Sequence, residues 1–330
     1  MPDNQGVKLT HEQIRAICRR GLGSAIAIES LRELGGGTLN EAYLVELAGG
    51  TRVILRAAPP SVADAYWDDV ALMRRELQIL PFFASIAALM PRGLAADFTH
   101  QLVERDYVLQ TYVAGERWSD IEEQLTPAEN AILWRQCGEI VRRIHDTAGD
   151  AFGHPYPLRQ FTSWRETLGD RLTRIGESMA ARHVEVSAFS TILGIARANA
   201  SRFDEIHTPR LLHGDLWTFN LLVTRGSDGP RISGVLDADR AWWGDPPADW
   251  IMFLWAVRRD EPEWQERLSA FDDGYGAPER DEGTRFRQEV YRAMHIGACA
   301  VGAATSGDGD TVARARRELR EIARAAPQWA

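Results

Sequence analysis

The sequence predicts an α+β chain of two lobes, a small β-rich lobe over residues 1–113 and a larger helical lobe over 114–330. Three observations carry this. Strand-like segments separated by glycine turns crowd into residues 29–60, with one more strand near 106–113. From residue 126 onward, apolar residues recur at helical spacing. A single apolar hairpin, 221–236, interrupts that helical half. With 330 residues the chain can build two separate cores, and 45% hydrophobic with 26% charged residues is ordinary for a soluble globular protein.

The first element is a helix. In "LTHEQIRAICRRGL", Thr10 and Gln13 have capping-box spacing, and Ile14, Ile17 and Cys18 share a face. "ESLRELGGGTLNEAYLVELAGGTRVILRAAPP" reads as three strands, turned by glycines at 35–37 and 49–50. A helix over "DDVALMRRELQILPFFA" follows, with Val70, Met73, Leu77 and Leu80 as its apolar stripe, and "DYVLQTYVAGERW" adds a strand and a linker at Gly115. Thr126 as N-cap, Pro127 at the first helical position and Glu129 closing the box start the next helix. Its apolar face is Leu133, Cys137, Ile140, Val141 and Ile144. More helix follows over 162–206, "IMFLWAV" at 251–257 reads as a short buried helical segment, and the last thirty residues form a terminal helix.

The hairpin carries the chemistry. "LLVT" and "ISGVL" are apolar strands joined by the turn-rich "RGSDGPR". A hairpin returns the chain to its start, so Asn220, before the first strand, lies beside Asp237, after the second. Asp215 is five residues upstream of Asn220. Oxygen donors gathered in this way suit Mg²⁺, which keeps several waters and binds one or two protein groups plus phosphates. In kinase-type phosphoryl transfer a loop Asp accepts the proton of the attacking hydroxyl, an Asn five positions on binds Mg²⁺, and a later Asp binds the metal bridging the phosphates. "HGDLWTFN" followed by "LDAD" places Asp215, Asn220 and Asp237 in that order.

At these residues the chain resembles a known family. "LLHGDLWTFNLLV…ISGVLDADRAWWGDPPADWIMFLW" is similar to the catalytic and metal loops of aminoglycoside phosphotransferases and related small-molecule kinases, and "RRIHDTAGDAFG" to the segment they carry before the catalytic loop. The resemblance implies a two-lobed protein-kinase-like fold with ATP or GTP as co-substrate between the lobes and Mg²⁺ on Asn220 and Asp237. It implies a strand cation at Arg56, where most relatives carry lysine; an arginine there is similar to hygromycin phosphotransferases. Arginine stays charged and can grip two phosphate oxygens at once. The helix carboxylate pairing with it would be Glu76. Gly36 and Gly37, in "LGGGTLNEAY", would approach the phosphates, and the backbone at Gln110 and Tyr112 would meet the base. His213 reads as structural, bonding loop backbone. Asp249 reads as charge near a helix start, with a bracing role added by the resemblance. Trp242, Trp243 and Trp250 suit either core or the wall of an acceptor pocket.

Only seven residues separate Asp237 from Asp245, too few to hold a peptide substrate, so a small acceptor is expected. Formal net charge is −9, which argues against nucleic-acid partners and favours a cationic acceptor such as an aminoglycoside-like antibiotic. Acidic residues that could meet it are Asp239, Glu261, Glu263, Asp272 and Asp273. Choline, homoserine, methylthioribose and ketosamine kinases remain alternatives, as does a nucleotide-binding module without turnover. Three scattered cysteines suggest reduced thiols in a cytoplasmic enzyme, monomeric or homodimeric, with no membrane segment.

Overall fold

Helix α1 (His11–Leu22) is followed by β1 (Ile28–Leu34), β2 (Glu41–Leu47), β3 (Arg52–Ala57), α2 (Leu72–Ile79), β4 (Gly93–Asp97) and β5 (Tyr107–Thr111). The computed structural model describes residues 8–35, 40–59, 66–250, 262–276 and 281–328. The five strands form one antiparallel sheet in the order β1-β2-β3-β5-β4. Thr10 caps α1 by accepting from the Gln13 amide while Gln13 returns a hydrogen-bond acceptor to the Thr10 amide. Ile14, Ile17 and Cys18 are fully buried in a cluster with Val45, Leu55 and Leu109. Strand β4 goes beyond the sequence reading: "GLAAD" has weak strand propensity, and its pairing with β5 makes it a strand.

The helix after β3 differs from expectation. It spans eight residues and passes at Leu80 into tighter turns running to Leu89. Pro81, which has no N–H to continue an α-helical ladder, sits at that change. Of the expected stripe only Met73 is buried, whereas Val70 is exposed. The inward face is Leu72, Met73, Arg75, Glu76 and Ile79. Apolar periodicity missed it because two charged side chains on that face find buried partners.

The second lobe runs β6 (Glu116–Arg117), α3 (Trp118–Ile121), α4 (Pro127–His145), β7 (Phe152–Gly153), β8 (Gln160–Phe161), α5 (Trp164–Ala181), α6 (Ser187–Ala198), α7 (Ser201–Asp204), β9 (Arg210–Leu212), β10 (Leu221–Gly226), β11 (Gly229–Val235), β12 (Trp242–Gly244), α8 (Pro262–Tyr275), α9 (Glu282–Ser306) and α10 (Gly309–Ala325). Helix α4 starts in the expected capping box, and its Leu133, Cys137, Ile140, Val141 and Ile144 are buried. They belong to one core, which also holds Trp118, Leu221, Val235 and Phe271. A second core joins α5, α6, α9 and α10 through Leu168, Ile175, Phe189, Val290 and Leu319. The segment "IMFLWAV" lies outside the described residues. Among the described residues no helix is long and apolar enough to cross a membrane.

The stretch leading into α2 pins one lobe to the other. Arg171 of α5 pairs with Asp68 at 2.7 Å, Arg75 reaches His154 at 2.7 Å, and Arg240 reaches Asp69 at 2.7 Å. Burial works against the Asp68 charge, but Arg171, His154 and Arg75 outweigh it and hold that carboxyl far below the usual range. This docking fixes α2 over the hairpin end, which places Glu76 for the site.

Candidate active site

Strands β10 and β11 pair antiparallel with Leu221 opposite Val235, and the Leu236 amide donates to the Asn220 carbonyl at 2.8 Å. Residues 220 and 237 therefore meet at the open end of the hairpin. The loop before β10 is held from behind. Gly214 has φ +78°, and a Cβ there would lie 2.2 Å from the Arg240 carbonyl oxygen, so only glycine lets the two loops touch. Buried Asp249 accepts from the His213 amide at 2.9 Å, from the Gly214 amide at 2.8 Å and from His145 Nε2 at 3.1 Å. Burial opposes its charge, but these donors keep its carboxyl below the usual range. The bracing geometry is thus present, set by a carboxylate 34 residues beyond Asp215 in the chain.

Replacing Asp249 by alanine is expected to leave two buried loop amides and the His145 ring without their acceptor. Loss on the order of 3 kcal/mol of stability should follow, read as a lower urea midpoint. Turnover should fall with it, because the catalytic loop loses its anchor.

Asn220 donates its side-chain amide to the Asp215 carbonyl at 2.7 Å and to Asp215 Oδ2 at 3.0 Å. One amide thus fixes the backbone and carboxylate of the same residue. Burial pushes Asp215 up to about 7; Arg240 opposes the rise, and Asp239 and Asp237 add to it. A carboxylate poised there can take a proton from a hydroxyl near neutral pH.

Arg56 is buried and central. Its guanidinium donates to Glu76 Oε2 at 2.7 Å, to Asp237 Oδ1 in a short hydrogen bond, and to Asp239 Oδ2 at 3.3 Å. Burial works against its charge, but Glu76, Asp237 and Asp239 prevail and raise its pKa. Glu76 is raised, burial being the main cause and Arg56 opposing it. Asp239 is raised by burial and by neighbouring Asp237. Asp237 itself sits at φ 59°, ψ 57°, a left-handed conformation that Asp tolerates better than most residues. With its side chain 43% exposed, it faces the space between the lobes.

The donor set fits Mg²⁺. Asn220 spends its amide nitrogen on Asp215, which leaves Oδ1 as the acceptor of that side chain, and Asp237 meets Arg56 through Oδ1. No group of three or more carboxylate, imidazole or thiol ligands occurs among the described residues. Two protein oxygens are enough for Mg²⁺, which completes its shell with phosphate and water.

Several expected residues land elsewhere. Asp239 is not on an acceptor wall: it is buried and faces Arg56, because the turn Ala238–Arg240 folds it inward. Trp243 is core, 5% exposed on β12, where it meets the edge of Phe82 and packs so close to Gly149 that a Cβ there would lie 2.5 Å from its ring. Trp242 and Trp250 are likewise buried. Gln110 lies inside β5 between Ile54 and Gly93, so its backbone belongs to the sheet, and the chain leaves the ladder only at Tyr112. The Tyr112 ring carries the Arg52 guanidinium 4.0 Å above its centre. Asp272 and Asp273 sit on α8, which packs along α4. Gly36, Gly37 and Glu261 lie outside the described residues. The His213 ring, fully buried beside Phe83, has no hydrogen-bond partner at either nitrogen, although the Leu236 backbone is near; its own amide does the anchoring.

Arg240 went unnoticed in the sequence. It bridges toward Asp69 and feels Asp215 and Asp239, and nothing in "LDADRAWW" distinguishes it from a solvated arginine. Trp217 and Phe219 were also missed. They stack 4.3 Å apart within the catalytic loop and are 38% and 42% exposed, whereas their apolar character reads as core.

Residues 30–286 match a family model described as "Phosphotransferase enzyme family". No curated protein matches the chain. Among solved structures, a thermostable mutant of the aminoglycoside phosphotransferase APH(4)-Ia superposes with a TM-score of 0.68 at 18% identity, covering 95% of this chain and 98% of that one. A GDP complex of a mutant aminoglycoside 2'-phosphotransferase-IIIa gives 0.67 at 16%, covering 97% and 100%. A candidate fructosamine-3-kinase from Thermobifida fusca gives 0.66 at 21%, covering 96% and 98%. The fold is thus the two-lobed protein-kinase-like one.

Proposed function

The chain belongs to the phosphotransferase enzyme family, and within it we propose that it moves the γ-phosphate of ATP or GTP to a hydroxyl of a small molecule. The observation that carries this reading is Asp215, fixed by Asn220, at the same hairpin end as Asp237 and the Arg56–Glu76 pair. A binding module has no need of a proton acceptor raised to about 7 by burial. Solved relatives support the nucleotide: one is a complex with ADP and hygromycin B, another with GDP.

In this reading Asp215 takes the proton of the attacking hydroxyl while Asn220 holds its carboxylate in line. Asn220 Oδ1 and Asp237 would hold Mg²⁺, which neutralises developing charge on the phosphates. Arg56, fixed by Glu76, presents a cation to the same phosphates, and Asp249 keeps the loop at constant height. The acceptor is a hydroxyl compound small enough to enter without a peptide-docking segment. Asp239, one of the carboxylates expected to recognise a cation, is buried against Arg56, so the support for a cationic acceptor is the net charge of −9.

A panel of aminoglycosides, amino sugars, ketosamines, choline, homoserine and methylthioribose, read by coupled ADP or GDP release, tests the proposal. One hydroxyl acceptor should give Mg²⁺-dependent turnover, and a panel in which only proteins are phosphorylated would refute it. Asp237→Ala is expected to abolish Mg²⁺-dependent nucleotide binding, and Asn220→Ala to raise the Mg²⁺ requirement. Unchanged Mg²⁺ titrations for both variants would remove the metal assignment.

A further inference from the structure

Where the stretch leading into α2 meets α5, hydrogen-bond donors outnumber acceptors. Both ring nitrogens of buried His154 face guanidinium groups, Nδ1 that of Arg75 at 2.7 Å and Nε2 that of Arg171 at 2.6 Å. Burial above all, with Arg75 and Arg171 adding to it, outweighs Asp68 and holds this imidazole well below its ordinary value, so it is neutral. A neutral imidazole accepts at one nitrogen only, so one of the two arginines points a donor at a donor. Three further N–H groups, Trp67 Nε1, Arg75 Nε and Arg171 Nε, are buried with no partner among the described residues. Against them stands one unmatched acceptor, Asp68 Oδ1, and the Tyr66 hydroxyl, which can serve either way.

A cavity of about 20 Å³ lies at this junction, and its walls include Trp67, His154, Arg159, Arg171, Arg174 and Trp242. Two of these, Trp67 and Arg171, carry the unmatched N–H groups. Three arginines line the space against one carboxylate, Asp170, which is itself 3.3 Å from Arg159 and 3.9 Å from Arg174. The aromatic walls hold the cations in place: Arg174 lies 4.1 Å over the Trp67 ring and Arg171 4.7 Å over Trp242. A single water needs roughly 10–15 Å³ of such space, so the cavity admits one or two waters or one small ion, and no phosphate or sulfate.

We propose that this cavity is a binding site for one monovalent anion of chloride size, which ties the segment 66–69 to α5 and so strengthens the docking of the two lobes. An anion gives the N–H groups of Trp67 and Arg171 a shared acceptor and offsets the surplus of arginine charge. Water fits the same space, but its two hydrogens add donors where donors are already in excess, whereas a halide adds none. The ion binds the docked lobes and not the unfolded chain, so it stabilises the fold by mass action. Asp68 and Asp69 reach α5 and Arg240 just before α2 begins, so the tie also steadies the helix that carries Glu76. None of the residues given a part in phosphotransfer lines the cavity, so the proposal stands independently of that reading.

The experiment follows thermal unfolding of the full-length protein without nucleotide, at fixed ionic strength, while sodium chloride replaces sodium gluconate, whose anion is too large for the cavity. Tm should rise by about 1–3 °C as chloride goes from about 1 to about 100 mM, and then level. Bromide should act like chloride. Trp67→Phe keeps a ring beside Arg171 and Arg174 but removes the N–H, and should raise the half-saturating halide concentration about tenfold or more. In crystals of the wild-type protein grown with bromide, an anomalous peak should fall between Trp67 and Arg171. A Tm indifferent to halide at fixed ionic strength would mean that the cavity holds water only and would overturn the proposal. A halide response unchanged in Trp67→Phe, or bromide found only at other places, would overturn it equally by putting the ion elsewhere. Should Trp67→Phe fail to fold, the position of bromide in the wild-type crystal decides.

Discussion

Asp215→Asn is expected to cut kcat by about 10²–10⁴, the usual range for loss of a general base, while nucleotide affinity stays within a few-fold. The substitution keeps the shape that Asn220 grips and removes only the ability to accept a proton. The pH dependence sharpens the test. Burial pushes Asp215 up to about 7, with Arg240 opposing and Asp239 and Asp237 adding. The wild-type rate should therefore rise about tenfold per pH unit on the acid side of 7 and level above it, and the variant should show no such limb. Stability gives an independent reading with a fixed sign. In the unfolded chain Asp215 titrates near ~3.9, so between about pH 4 and 7 the folded state holds a proton that the unfolded state has released. Folding stability then falls as pH rises through that window. The asparagine variant lacks this contribution and should gain in urea midpoint over the wild type at pH 8 but hardly at pH 4. Turnover within tenfold of the wild type would remove Asp215 from the base role.

Where a residue's role depends on its neighbours in the chain, the sequence was sufficient. Thr10, Gln13, Thr126 and Glu129 cap their helices through bonds three residues long, and the tight turn at Ser227 and Asp228, within the turn-rich 225–231, brings Asn220 to Asp237 through hairpin geometry alone. Where the role depends on partners far along the chain, local pattern misled. Arg75 and Glu76 face inward because Asp68, His154 and Arg56 await them, and an apolar stripe is blind to such pairs. Asp239 reads like any acid after a metal loop until the turn at 238–240 aims it at Arg56. Asp249 is the instructive intermediate. Its spacing from two prolines suggests only a helix start, and its actual task, three donors on one carboxylate, exists because β9 and β12 pair and bring residues 213–214 to the start of that turn. Exposure is hardest to read. Trp243 and Trp217 are the same residue type near the same hairpin, one core and the other open, because Trp243 lies on β12 between β7 and β9 with Gly149 against its ring.

Arg56→Ala should raise the apparent KM for nucleotide by a hundredfold or more and leave the acceptor KM within a few-fold. The side chain is 8% exposed and serves three carboxylates at once, so its loss strips Glu76, Asp237 and Asp239 of their shared cation. Breaking a buried pair by removing one partner typically costs about 3–5 kcal/mol, and each ~1.4 kcal/mol is a factor of ten in an equilibrium constant. Part of that loss falls on folding and part on phosphate binding, and the two can be measured apart. Urea unfolding without nucleotide reports the first, and the ratio of the two KM values reports the second. Glu76, already raised by burial, should become protonated at neutral pH once Arg56 no longer opposes it. A Glu76→Gln change made on top of Arg56→Ala should therefore cost little more, whereas Glu76→Gln alone should cost clearly, giving a coupling energy between the two positions. Arg56→Lys separates charge from geometry. An ammonium is a point charge that cannot span Glu76 and Asp237 with a rigid fork, so it should restore much of the nucleotide affinity but less of the stability. Equal changes in both KM values for Arg56→Ala, or none, would mean that the guanidinium supports the fold of this corner and never reaches a phosphate.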